Sequence, residues 1–185
     1  MAAAATDLTT LANLKAFLSN PGTNDDTLLQ SLLTNASLFI ENYINRDIVS
    51  LTYNVVIDGT GSRTMVLSDY PVTAVTSVTI DGDVIPPGSV TTSGFYFNAD
   101  KVILNGYYFN KGYGNVAITY TAGYATVPYD LQQACIGLVQ FWLNDRQRAG
   151  EVSRTMGGQT ITFSQKDMPP WVATILAQWK KVISF

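Results

Sequence analysis

The chain has 185 residues, 46% of them hydrophobic and 14% charged, which describes one globular domain with a sizeable core and little charge. It contains no histidine and a single cysteine, Cys135, which excludes a Ser-His-Asp triad, a histidine metal site, a cysteine-built zinc site and an intrachain disulfide. The net charge of −3 is uneven: residues 1–145 hold five Lys/Arg against twelve Asp/Glu, for −7, and residues 146–185 hold six against two, for +4.

Thr6 or Asp7 is placed to cap a first helix running to about Ser19, with Leu8, Leu11, Leu14 and Leu18 sharing a face. Asn20-Pro21-Gly22 ends it. Asn24 or Asp25 caps a second helix, and Asp25 and Asp26 suit its positive N-terminal end. Its apolar positions, from Leu28 through Leu33, Ala36 and Ile40 to Ile44, lie within roughly 160° of arc, with Leu38 off the stripe. The short link predicts an antiparallel pair over residues 1–49.

Residues 50–125 change character. Leu51–Ile57, Thr64–Leu67, Val75–Ile80, Phe95–Phe97, Lys101–Leu104 and Val116–Thr121 read as short strands. Asp58-Gly59, Asp81-Gly82, Pro86-Pro87-Gly88, Asn98-Ala99-Asp100 and Asn105-Gly106 read as turns between them. The pattern predicts a small antiparallel β-domain inserted between helices. Ala122-Gly123-Tyr124 breaks the last strand, and Gly123 suits a positive φ.

Pro128 opens a third helix, Tyr129 to about Gln147, within the segment 126–149. Leu131, Ala134, Cys135, Leu138, Val139, Phe141, Trp142 and Leu143 spread over roughly 200° of its circumference. A surface helix needs a narrower stripe, so this one is expected to pack on two sides, as a central post of the fold or between subunits. On such a helix Cys135 reads as a small buried hydrophobe, with a reactive thiol as the alternative.

Residues 150–185 form an arm and a final helix. Gly157-Gly158 with Gln159–Phe163 suggests a hairpin or a flexible arm with a short strand. Pro169-Pro170 starts a helix from Trp171 to about Ser184, whose stripe of Trp171, Val172, Ile175, Leu176, Trp179, Val182 and Ile183 occupies roughly 140°. A helix this short is marginal alone in water. Either it folds back on its own domain or it docks on another subunit or protein. The cations here, Arg146, Arg148, Arg154, Lys166, Lys180 and Lys181, read as a solvated helix end and loop or as a face for an acidic partner. The opening MAAAA lacks the features of a signal peptide, and there is no run of 18 apolar residues. The expected setting is a cytosol-like compartment or a particle assembled there.

Signals of site chemistry are weak. Asp58, Asp81, Asp83 and Asp100 sit in turn contexts, where Asp stabilises the turn itself. Asp81-Gly82-Asp83 lacks the remaining ligand spacing of a calcium loop, and Gly112-x-Gly114 leads into a strand, not a helix. The aromatic cluster Phe95, Tyr96, Phe97, Tyr107, Tyr108, Phe109 and Tyr113 admits three readings: core packing, protein contact, or a sugar platform.

Four stretches in order then carry a resemblance: LANLKAFLSNPGTNDDTLLQSLLTNASLFIENYINRDI, YPVTAVTSVTIDG, ITYTAGYATVPYDLQQACIGLVQFWLNDR, and the short helix after a Gly-containing loop. Together they make the chain similar to the head–tail connector (adaptor, head completion) proteins of long-tailed bacteriophages. The resemblance spans nearly the whole chain as a single connector-like domain, although the β insertion exceeds that of the most compact, mostly helical members. It implies an α+β fold: a helical bundle of the N-terminal pair, the long central helix and the short C-terminal helix, with the inserted antiparallel β-domain at 50–125.

It also implies a structural, non-enzymatic virion protein without cofactor or metal. Such proteins form rings, commonly of twelve subunits, under the portal, extend the DNA channel, and present a platform for the next connector, stopper or tail-completion protein. DNA would pass without sequence-specific binding, no membrane would be involved, and assembly would take place in the host cytoplasm. The candidate portal or subunit interface is Arg154, Trp171, Ile175, Trp179, Lys180, Lys181 and Val182. The candidate subunit packing on the central helix is Leu131, Leu138, Phe141 and Trp142. The candidate tail-side contacts are Tyr107, Tyr108, Phe109 and Tyr113. The other functional readings are an aromatic-rich β module that binds glycan on a virion or cell surface, and an enzyme with an unrecognised carboxylate site.

Overall fold

The structure, a computed structural model, describes residues 6–20, 22–146, 153–156, 159–162 and 168–181. In chain order they form α1 (Leu11–Leu18), α2 (Asp26–Ile44), β1 (Leu51–Gly59), β2 (Thr64–Val66), β3 (Val72–Ile80), β4 (Asp83–Ile85), β5 (Gly94–Phe97), β6 (Lys101–Asn105), β7 (Gly112–Ala122), α3 (Tyr129–Arg146), β8 (Ser153–Met156), β9 (Gln159–Thr162) and α4 (Pro170–Trp179). The fold is α+β, and every sheet among the described residues is antiparallel. The chain divides into two compact units, Met1–Arg46 with Val127–Phe185, and Asp47–Thr126.

In the first unit, α1 begins at Leu11, not near Thr6 or Asp7. Thr10 is the cap, its hydroxyl accepting from the Asn13 N–H at 3.2 Å. The reason lies in Leu8, which is drawn into the core in non-helical backbone, its N–H donating to Ser37 Oγ at 3.0 Å. The helix closes on Ser19 in the left-handed conformation, and Lys15 ties it to α2 through Asp26 at 2.6 Å. On α2 the buried residues Leu29, Leu33, Ala36, Ile40 and Ile44 follow the helical period. Leu38, off that stripe, is 45% exposed.

Helix α3 is buried at every position from Ala134 to Val139. Such a run cannot be covered from one side; α2 and α1 pack on it, and α4 packs on it too. Gly137 is the residue that lets α4 approach. A Cβ there would collide with the Trp171 ring. Val172 and Leu176 of α4 are completely buried, and each such side chain contributes about 2 kcal/mol in removed apolar surface. Helix α4 is shorter than its apolar stripe suggested: Lys180 is already extended, and the Lys181 N–H donates to Ile44 O at 2.9 Å. Residues 182–185 lie outside the described residues.

In the second unit, a four-stranded sheet has the order β1-β7-β3-β4, and a three-stranded sheet has the order β2-β6-β5. The register sets Ile57, Val116 and Ile80 in one row and Val55, Ile118 and Val78 in the next. Those rows pack with Met65, Phe95, Val102 and Leu104 of the second sheet into one core. The outer face of the larger sheet carries Thr52, Asn54, Ala117, Thr119 and Val84. Gly123 has φ +107, and a Cβ there would come within 2.6 Å of Val49 O.

Strand boundaries differ from the sequence reading: β1 runs on to Gly59, β7 begins at Gly112 rather than Val116, and two further differences have a clear cause. The register shifts between Val72 and Ala74 and between Val75 and Ser77 break the period-two pattern at the start of β3, which the sequence reading began only at Val75. Strand β4 follows the Asp81-Gly82 turn directly and is three residues long, too short for any pattern.

The packing of Trp171 on Gly137 predicts a change of sign. Gly137→Ala alone should destabilise the protein by about 1–2 kcal/mol, because displacing the ring outweighs the helix propensity gained. In a Trp171→Ala background the same substitution should stabilise by roughly 0.5–1 kcal/mol. Denaturant melts of the four proteins measure both.

Candidate assembly surfaces

The side chains singled out in the sequence divide between core and surface. On α4, Trp179 directs its indole Nε1–H to Asp130 Oδ2 at 2.7 Å, a hydrogen bond to a carboxylate on the first turn of α3. Asp130 Oδ1 also accepts from the Leu131 N–H at 2.9 Å. Lys180 holds its ammonium 5.4 Å from the centre of the Tyr43 ring. Trp171, 45% exposed, presents the rest of its indole to solvent, and Ile175 is half-buried. The stripe of α4 is therefore seated on its own unit, with Trp171 and Lys180 at the surface. The side chain of Arg154 and the whole of Val182 lie outside the described residues.

On α3, Leu131 and Leu138 are completely buried within the chain, because α1, α2 and α4 already cover the arc they occupy. They are core residues and offer nothing to a neighbouring subunit in this conformation. Phe141 and Trp142 are half-buried, and Trp142 meets Phe39 edge to face at 5.9 Å. Near them a groove of about 750 Å³ opens between the ends of α1, α2 and α3, lined by Phe17, Leu18, Leu28, Leu143 and Arg146 among others. Phe17 was missed in the sequence. Its signal was there: it falls off the leucine stripe of α1, and it is 45% exposed.

The aromatic row of the β-unit also splits. Phe109 is fully buried, its backbone locked by bonds between its N–H and Ser62 O and between its carbonyl and the Gly61 N–H, so it is core and not a surface contact. Tyr108 lies under the Arg63 guanidinium, 4.7 Å from the ring centre, and its hydroxyl accepts from that group at 2.7 Å. Tyr107 is at the surface, and Tyr113 is 96% exposed.

The carboxylates of the turns are structural. Asp81 accepts from the side-chain amides of Asn110 at 2.8 Å and Asn115 at 2.9 Å, and these bonds hold its carboxyl below the usual carboxylate range. Asp58 accepts from the Gly114 N–H at 2.6 Å. Among the described residues no group of three His, Cys, Asp or Glu could hold a metal ion, and no helix is long and apolar enough to cross a membrane. Cys135 is buried beside Ser37 Oγ at 3.6 Å, and burial pushes its thiol up to about 12. Burial, with Asp69 beside it, also pushes the Tyr120 hydroxyl up to about 12, and burial raises Tyr53, whose hydroxyl donates to Asp47 at 2.8 Å.

These surfaces describe a structural protein, with aromatic groups left outside in both units and carboxylates spent on turns. The head completion protein family matches residues 7–182, and the chain belongs to that family, which is structural and non-enzymatic. No curated protein matches the chain. Among solved structures it is similar to a chain in the neck of an empty gene transfer agent particle determined with C6 symmetry, at 20% identity and TM-score 0.63, covering 100% of this chain and 95% of that one. A chain in the neck of the native particle, determined with C12 symmetry, gives 18% identity and TM-score 0.64, covering 100% and 94%. A chain of the native gene transfer agent virion gives 19% and 0.63, covering 100% and 95%. At these identities the likeness is one of fold.

Two outcomes follow from this geometry. Trp179→Phe keeps the ring and removes the bond to Asp130, so it should lower stability by about 1.5–3 kcal/mol in a denaturant melt. The second concerns alkaline pH. The unfolded chain releases protons from Cys135, Tyr120 and Tyr53 near their ordinary values of 9.0 and 10.0, while the native state retains them. The native state then binds more protons, so stability should fall as pH rises above about 9. Melts between pH 7 and pH 11 check this, and Tyr120→Phe should flatten the slope.

Proposed function

We propose that this head completion protein is a head–tail connector: a ring of twelve copies seated under the portal, extending the DNA channel and presenting a platform to the next connector, stopper or tail-completion protein. The observation that carries the reading is the family match over residues 7–182, supported by the likeness of fold over the full chain to neck subunits of particles with C12 and C6 symmetry. The chain then acts as one connector domain, its four helices forming a bundle at 1–49, 126–149 and 150–185, with 50–125 as the insertion. It takes its place at the head–tail interface of a virion assembled in the host cytoplasm.

In this reading Trp171, Ile175 and Lys180, with Arg154, Lys181 and Val182 from the same basic piece, face the portal or the adjoining subunit. Trp179 supports that face from within through Asp130. Phe141 and Trp142, next to the groove at Phe17 and Leu28, serve subunit packing. Tyr107, Tyr108 and Tyr113 face the tail. A body of −7 over residues 1–145 suits a channel through which DNA slides without sticking. The glycan reading is disfavoured by Arg63, which already covers the Tyr108 ring that a sugar would stack on.

The test is the mass of the assembly. The full chain, alone and mixed with its portal ring, should give a complex holding twelve copies by native mass spectrometry or electron microscopy. A chain that stays monomeric with the portal at high concentration defeats the proposal.

A further inference from the structure

Among the described residues, two features stand out as strand edges without a paired neighbour. In the four-stranded sheet β1 is an edge, paired only with β7 among the described residues. It runs nine residues, LTYNVVIDG, and contains neither proline nor lysine. Its single irregularity lies at the far end, between Ile57 and Gly59. The other edges of the unit are far shorter: β4 and β2 have three residues and β5 has four. Natural proteins blunt a long edge with charge, proline, a bulge or a cover, because its outward N–H and C=O groups template another strand. Among the described residues, Leu51 to Val56 carry no charge, proline or bulge, and no strand pairs on their outer side.

The second unpaired feature is the hairpin β8–β9. It forms a sheet of its own, joined to neither of the others among the described residues. A two-stranded hairpin with four residues per strand is marginal by itself in water, so it calls for a third strand. Its sequence carries Arg154 and no acid, whereas β1 carries Asp58 and no base.

We infer that the hairpin β8–β9 of one copy adds to the free edge of β1 in the next copy, continuing the four-stranded sheet across the subunit boundary. The inference rests on the ring reading and names the contact within it. A ring is built from a heterologous contact, in which one surface of a copy meets a different surface of its neighbour. An edge that needs a strand and a strand pair that needs an edge, both in one chain, supply such a contact once per subunit. Main-chain bonds provide the affinity in strand addition, so the contact needs no large apolar patch.

The experiment is amide hydrogen exchange on the full chain, free and in its assembled ring. A parallel variant has residues 153–162 replaced by a Gly-Ser run of equal length. The β1 amides that point away from β7 should exchange at least about tenfold more slowly in the parent ring than in the free chain, and the variant should lose its ring yield. Unchanged exchange of these outward amides in the ring, their protection already in the free chain, or a variant that assembles like the parent overturns the inference.

A second measurement holds even where the variant fails to fold. Asn54→Cys protein is mixed under oxidising conditions with Arg154→Cys or Thr155→Cys protein, two positions that take opposite faces of a strand. A covalent dimer specific to one of the mixtures is expected, and none in either overturns the inference. A chain that remains monomeric with the portal defeats the connector reading and this inference with it; a ring with unprotected β1 defeats this inference alone.

Discussion

The circumference of α3 is the constraint on which the helical unit depends. From Ala134 to Val139 every side chain is buried, which demands cover from more than one direction. The chain meets the demand with elements from its two ends: α1 and α2 before the strands, and α4 after the hairpin. Gly137 makes the last contact possible, because only a residue without a Cβ leaves room for the Trp171 indole on the helix backbone. The bond from Trp179 to Asp130 and the link from Lys181 N–H to Ile44 O then fix the end of α4 to the other two long helices. A helix of ten residues with little intrinsic stability is held by packing rather than propensity.

The larger sheet of the β-unit is organised by β7, its longest strand, which is paired on both sides. Its residues Val116 to Ala122 match β1 along one edge and β3 along the other, so the inward set Val116, Ile118, Tyr120 and Ala122 is pinned by two ladders at once. A slip of one residue would bring Thr119 and Ala117 into the core, which is why the register is firmly specified. The buried hydroxyl of Tyr120 is satisfied by Asp69 at 3.2 Å, and the ring stacks on Tyr53 at 5.3 Å. The carboxylates that might have suggested chemistry, Asp58 and Asp81, accept from backbone and amide donors that close the turns at one end of the sheet.

What the two units leave outside differs between them. In the helical unit that is the outward part of Trp171, the Lys180 head over Tyr43, and the groove beside Phe17. In the β-unit it is Tyr113, the Arg63–Tyr108 pair, and the edge of β1 that no other described strand pairs. Aromatic groups and open main-chain edges are means of protein recognition that require no reacting group.

By itself the sequence determined most of the element types and their order, though not the three-residue β4. The leucine spacing of α2, the alternation of β1 and the end of β7, the Asp81-Gly82 turn and the all-round apolarity of α3 are local patterns with one physical solution each. The sequence also excluded histidine chemistry by composition and carried the family resemblance in the order of its segments. Tertiary structure decided what local pattern cannot express. Leu8 leaves the first helix because the core takes it, and Thr10 becomes the cap. Register shifts hide the start of β3, and Leu131, Leu138 and Phe109 turn out to be interior because other elements reach them first. The stripe of α4 could have faced any apolar partner; the gap at Gly137 and the acceptor at Asp130, distant in sequence, settle it on its own unit. Burial is a property of the neighbours a side chain meets, and those neighbours lie far along the chain.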